Sequence, residues 1–109
     1  MSFLNYIKVI NQATKTEKEK ELWDVSGIIK GRSNQEFKFD LRPMTRQGHD
    51  IGKIGKTDTK ADKMVFEFKD KFIIVDLPEL HRYIKENRLQ KVYLQDLISK
   101  LDWNIILPK

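Results

Sequence analysis

Cysteine is absent from the 109 residues, which excludes disulfides, zinc ribbons and thiol nucleophiles. Histidine is scarce: two residues, His49 and His81, are too few for a histidine-rich metal centre. Any metal would therefore be held by carboxylates, and such oxygen donors favour hard Mg²⁺, Mn²⁺ or Ca²⁺. No apolar run approaches the roughly 18 residues needed to cross a bilayer. The start, "MSFLNYIKVINQ", has no basic stretch ahead of an apolar core and no small-residue cleavage site, so neither membrane insertion nor secretion is expected and the default address is cytoplasmic. Repeats, low-complexity tracts and linkers are also missing, and the length suits one domain over residues 1–109 with one modest core.

Charge, by contrast, is plentiful. Charged residues make up 34% and hydrophobic residues 39% of the chain, a balance that suits a folded domain rather than a disordered one. The net charge of +5 points to a polyanionic partner. Its distribution is more informative. "RPMTRQGHDIGKIGKTDTKADK" carries Arg42, Arg46, Lys53, Lys56, Lys60 and Lys63 among glycines and small polar residues. It reads as a flexible basic loop, either following a phosphate backbone or simply solvated.

Ser2 is placed to cap a first helix, with Phe3, Ile7 and Ile10 as its buried stripe. Thr16 and Glu19 form a capping-box pattern for a short charged helical turn from about Glu17 to Leu22; one helix from Ser2 to about Glu21 is the alternative. "LWDVSGIIK" reads as a strand with Trp23, Val25 and Ile29 on one face and Asp24, Ser26 and Ile28 on the other. "GRSN" is turn chemistry. "QEFKFDL" then alternates Phe37, Phe39 and Leu41 against Glu36, Lys38 and Asp40, which completes a hairpin ended by Pro43. "MVFEFKDKFIIVDL" reads as strand, turn at Asp70-Lys71, strand, or as one long bent strand, with the apolar "FIIV" central. Asp76, Pro78 and Glu79 start a helix that runs to about Glu86 and buries Leu80, Tyr83 and Ile84. Leu94, Leu97, Ile98 and Leu101 have the spacing of a further helix, and Trp103, Ile105 and Leu107 alternate in a closing strand. The fold class implied is mixed α/β of the α+β kind, a largely antiparallel sheet with flanking helices.

The candidate chemistry sits on the hairpin. Asp24 opens its first strand, and Glu36 and Lys38 share a face of its second. Whether Asp24 faces the same side depends on the register, which the sequence leaves open. If it does, two carboxylates and an ammonium converge. Carboxylates hold Mg²⁺ through oxygen, the metal polarises a phosphate and acidifies a bound water, and a lysine orients or deprotonates that water and steadies transition-state charge. A second E-x-K triplet, Glu67-Phe68-Lys69, has nearby upstream acids only at Asp58 and Asp62, the latter too close for a separate strand. For both triplets the alternative is a set of solvated charges on a polar sheet face.

Asp24, an eleven-residue gap and Glu36-Phe37-Lys38 resemble the motif of the PD-(D/E)xK nuclease superfamily. Thr59-Lys60-Ala61-Asp62, followed by an apolar strand and a helix, is similar to a "T-x-A-D" segment in small phage, homing and restriction endonucleases of that superfamily. The resemblance spans about residues 20–87 and departs from the pattern at Trp23, which stands where the motif has proline. It implies a restriction-endonuclease-like core and a DNA endonuclease with Asp24, Glu36 and Lys38 catalytic. Asp24 and Glu36 would bind Mg²⁺ (or Mn²⁺), and Asp40, Glu67, Glu17 or Glu21 is available as a third acid. DNA would lie against Arg42, Arg46, His49, Lys53, Lys56 and Lys60. A domain this small offers one site, so cutting a duplex favours a homodimer. The alternatives are a non-catalytic nucleic-acid-binding or adaptor protein with a degenerate nuclease-like fold, and a protein-binding inhibitor with a charged sheet face. His49-Asp50 reads as surface, as a general base or as a phosphate contact, His81 as surface or partner-facing, and Trp23 and Trp103 as core. "GKIG" is too short for a nucleotide-binding fingerprint.

Overall fold

The computed structural model describes residues 2–32, 34–43, 60–89 and 98–109. A 3₁₀ turn (Phe3–Tyr6) leads into β1 (Ile7–Gln12), followed by α1 (Lys15–Lys20), β2 (Val25–Ile29), β3 (Glu36–Pro43), β4 (Lys63–Glu67), β5 (Lys71–Asp76), α2 (Leu77–Glu86) and β6 (Asn104–Pro108). Among the described residues, six strands form one sheet in sequence order. β3 and β4 pair in parallel and every other neighbouring pair is antiparallel, so the domain is α+β with a mixed sheet.

The sheet buries both faces. Towards α2, Met64, Phe66, Ile73 and Val75 pack with Leu77, Leu80, Trp23 and Leu101. The opposite face gathers Ile7, Val25, Ile29, Phe39, Val65, Phe72, Ile74 and Leu107 around Phe3 of the 3₁₀ turn. Contacts that skip strands curl the sheet around this second face. The Phe3 ring meets Phe39 at 5.2 Å and Phe72 at 5.6 Å, and the Tyr6 hydroxyl donates to the Pro108 carbonyl at 3.1 Å, joining the two ends of the sheet. Phe37 on β3 touches Trp103 ahead of β6 at 6.2 Å. Flat neighbouring strands lie about 4.8 Å apart, so a ring contact across two intervening strands requires that curl.

The expected hairpin, the two-strand reading of 64–77, the helix start at Asp76 and the closing strand recur in the structure, and β5 lies inside the sheet, between β4 and β6, rather than at its centre. Three expectations need correction. First, no helix spans Ser2 to Ile10, nor Ser2 to Glu21. Ser2 does accept the Leu4 N–H, but only a 3₁₀ turn follows. The β-branched Ile7, Val9 and Ile10 favour extended backbone, and Ile10 is exposed beside the bulge where β1 slips against β2. Second, the capping box is Thr14 with Glu17, one turn-half earlier than Thr16 with Glu19, and α1 begins accordingly at Lys15. Third, Trp23 does not share a face with Val25 and Ile29. It lies ahead of β2 and joins the α2 layer. Of the further helix around Leu94–Leu101, residues 90–97 lie outside the described residues; Leu101 is buried and Ile98 exposed.

α2 ends in a Schellman arrangement, with the Leu89 N–H donating to the Ile84 carbonyl and the Arg88 N–H to the Lys85 carbonyl. This places the exposed Arg88 at φ 51°, a left-handed conformation in which a Cβ is strained. Arg88→Gly is therefore expected to raise stability by about 0.5–1 kcal/mol, read as a higher urea midpoint at unchanged slope.

Candidate functional site

The hairpin register decides what converges. Val25 pairs with Phe39, Ser26 with Lys38, and Ile28 with Glu36. Asp24 precedes the regular pairing. Its N–H donates to the Phe39 carbonyl at 2.9 Å, and its carboxylate accepts the Leu41 N–H at 2.8 Å. The side chain thus supplies a ladder bond where β2 has no backbone to offer, and it grips β3 on both sides of Asp40. Glu36 lies four residues before Asp40, roughly 13 Å along the strand. The structure therefore brings Asp24 to Asp40 and not to Glu36, which is exposed at the start of β3.

Asp40, Lys38 and Arg42 follow at two-residue intervals on one face of β3. Asp40 is 3% exposed. Both its oxygens are taken by the Arg42 guanidinium, Nε at 2.7 Å and Nη2 at 2.9 Å, a bidentate fork. Hydrogen bonding to Asp40 raises the Arg42 pKa above its ordinary value; partial burial works against this, and the charges of Asp40 and Asp24 add to the rise. Lys38 is half-buried. Its Nζ lies 3.9 Å from Glu21 and 5.0 Å from the centre of the Trp23 ring, so α1 delivers a third acid to the same region. Asp62 accepts the Lys38 N–H at 2.9 Å and donates its own N–H to the Lys38 carbonyl. Of the Thr59–Asp62 segment, the described part therefore extends the β3–β4 ladder.

Of the residues expected to meet nucleic acid, Arg46, His49, Lys53 and Lys56 lie outside the described residues. Lys60 is exposed, and its N–H donates to the Glu21 carbonyl at 2.7 Å. Arg42 belongs to β3 and Lys63 to β4 rather than to a loop. In the second triplet, Glu67 pairs with Lys109 at 3.0 Å and Lys69 is exposed in a turn. His81 is half-buried on α2.

Two features escaped the sequence reading. Asp40-Leu41-Arg42 is an acid-x-base triplet like the others, and its two-residue spacing was the available signal. The second is the setting of Lys63. Its ammonium lies 4.5 Å from the Phe37 ring centre and 3.9 Å from that of Trp103, and it pairs with Asp76 at 2.7 Å. Only the register of strands distant in sequence assembles that cage.

Among the described residues, no three of His, Cys, Asp and Glu converge as a metal set. Mg²⁺, however, characteristically keeps several waters and takes one or two carboxylates plus substrate phosphates. In the pair Asp24 and Asp40, both Asp40 oxygens are held by Arg42 and one Asp24 oxygen by the Leu41 N–H. No known protein family, curated protein or solved structure matches this chain. No helix among the described residues is long and apolar enough to cross a membrane.

Proposed function

We propose that this chain is a metal-dependent endonuclease that hydrolyses phosphodiester bonds in DNA. The observation that carries the reading is the placement of Asp24 beside Asp40, with Lys38 two residues back on the same face of β3. Asp24 keeps the metal-binding role that the resemblance implied for it, and Asp40 takes the one the resemblance implied for Glu36. Bound by these carboxylates, Mg²⁺ supplies Lewis acidity and a water of lowered pKa. Lys38 contributes an ammonium that orients the attacking water and steadies the developing negative charge. The net charge of +5 favours approach to a polyanion. With one site per chain, cutting both strands of a duplex calls for two copies.

The test is nicking of supercoiled plasmid and of branched DNA in Mg²⁺, Mn²⁺ or EDTA. Wild type is expected to nick in either metal and not in EDTA. Lys38→Ala is expected to lose about 10²-fold or more of that rate with its melting temperature nearly unchanged, because the lysine is half-exposed. The second reading, a nucleic-acid-binding module without catalysis, draws on the occupancy of both Asp40 oxygens by Arg42. Salt-sensitive DNA binding with no metal-dependent nicking would establish it and sink the first.

A further inference from the structure

In β1 only Ile7 is buried; Lys8, Val9, Ile10, Asn11 and Gln12 are all exposed. A strand covered on one face is exposed at alternate residues. Exposure at every residue past Ile7 means that both faces and the outer edge of β1 are open there. Among the described residues, Val9 and Ile10 on β1 and Leu4 on the turn before it make up three of the four exposed large hydrophobic side chains. The strand carries a single charge, Lys8, in a chain that is 34% charged. β6, the other end of the described sheet, is better guarded. It ends in Pro108, and its remaining side chains are half-buried or buried.

The backbone of β1 is open as well. The Lys30 N–H donates to the Tyr6 carbonyl at 3.1 Å, and Ile7, Lys8 and Val9 then pair with Ile29, Ile28 and Gly27. Bonded and non-bonded pairs alternate along an antiparallel ladder. Lys8 and Ile28 are therefore bonded, and Ile7 and Val9 turn their N–H and C=O groups away from β2. Ile7 stands at the start of the strand against the 3₁₀ turn, which leaves Val9 as the centre of the open edge.

We propose that this edge pairs with the same edge of a second copy, antiparallel and two-fold symmetric about Val9. An extended backbone satisfies outward N–H and C=O groups together, and a two-fold axis at Val9 lets the two copies of that residue exchange both bonds. The charges suit a second copy. The axis sets Lys8 opposite Ile10 of the partner subunit, so no lysine faces a lysine, and the aliphatic stem of Lys8 covers an exposed isoleucine. The assembly closes at two copies, because each uses the same edge. The bulge beside Val9 bends the strand and keeps the ladder short. The buried area then falls among the weak, transient contacts below about 1,200 Å². The pairing does not rest on the nuclease reading, although it supplies the two copies which that reading calls for.

The experiment is sedimentation of the intact chain over rising concentration, in about 0.3 M salt to screen the repulsion between like net charges. Wild type is expected to pass from monomer to dimer with a dissociation constant of about 10–100 μM. Val9→Lys and Val9→Glu each set like charges against one another across the axis. Each alone is expected to weaken the dimer about tenfold or more, with a melting temperature close to that of wild type because Val9 is exposed. Mixed in equal amounts, the two variants are expected to associate again, since position 9 of one copy faces position 9 of the other. The proposal is overturned if wild type stays monomeric up to about 1 mM, if either variant alone dimerises as wild type does, or if the mixture stays monomeric. Should the variants fail to fold, hydrogen exchange of wild type decides. A Val9 amide protected at dimer concentrations and exchanging freely in dilute solution supports the pairing; protection independent of concentration refutes it. Nicking is scored separately: a dimer that does not nick removes the nuclease reading and leaves the pairing, and a monomer that nicks does the reverse.

Discussion

Asp76→Ala is expected to destabilise the protein by about 3–4 kcal/mol, a large share of the roughly 5–15 kcal/mol that holds a typical domain folded. One carboxylate does two jobs here. One oxygen takes the Lys63 ammonium at 2.7 Å, and the other accepts the Glu79 N–H at the start of α2. Losing the cap costs about 1 kcal/mol. Losing the counter-ion costs more, because the Lys63 side chain is 8% exposed and closed in by Phe37 and Trp103. Breaking a fully buried pair costs about 3–5 kcal/mol. Asp76 is itself 29% exposed, so water and the aromatic faces recover part of that, and about 2–3 kcal/mol is left.

Asp76→Asn separates the two jobs. Asparagine caps a helix about as well as aspartate but offers no charge, so it should cost about 1 kcal/mol less than alanine does. Urea unfolding of the three proteins reads both differences. Equal losses for alanine and asparagine would remove the cap from the account; losses under about 1 kcal/mol for both would remove the ion pair as well. The same region ties down the end of the chain. Glu79 accepts the N–H groups of Asp102 and Trp103 at 2.8 and 3.0 Å, so β6 is pinned through α2 to the residue that caps it. A disturbance at Asp76 should therefore be reported by Trp103 fluorescence before the far side of the sheet responds.

How much of this was legible in the sequence depends on how local the cause is. Asp76 followed by Pro78 and Glu79 announces a helix start because the cap and its target are three residues apart. Phe37, Phe39 and Leu41 announce a buried strand face because alternation needs no knowledge of the partner. Phe3, Ile7 and Ile10 misled for the same reason: the spacing i, i+4, i+7 fits a helix stripe, and only the β-branched residues after Tyr6 argue for a strand. The candidate site was half legible. Asp24 and the hairpin could be named, but its partner could not. A register is set by which apolar side chains meet across strands, here Val25 with Phe39, and moving it re-pairs every charge on the other face. The spacing from Asp24 pointed to Glu36, whereas the pairing delivers Asp40. Lys63 looked like one basic residue of a loop because nothing within ten residues of it reveals Trp103 or Asp76.

Gly27→Ala is expected to cost about 2–3 kcal/mol, near the upper end for overpacking, although it adds a single methyl group. Gly27 sits on β2 opposite Val9 of β1. A Cβ there would lie 2.5 Å from the Lys8 carbonyl oxygen and 3.1 Å from the Ile7 Cδ1. The Ile7 side chain could shift, but the carbonyl belongs to the backbone of β1, and moving it means moving the strand. Among the described residues β1 is the end strand of the sheet, bonded to β2 on one side, so displacement outward is the available relief. That displacement weakens the ladder from Ile7 to Gln12 and loosens Ile7 and Phe3 from the face they close. The effect should be local before it is global. Hydrogen exchange in the variant should accelerate most at the β1 and 3₁₀-turn amides, while β4 and β5 keep protection close to the global limit. An alanine variant with wild-type stability and wild-type protection of β1 would mean that the two strands do not approach this closely at Gly27.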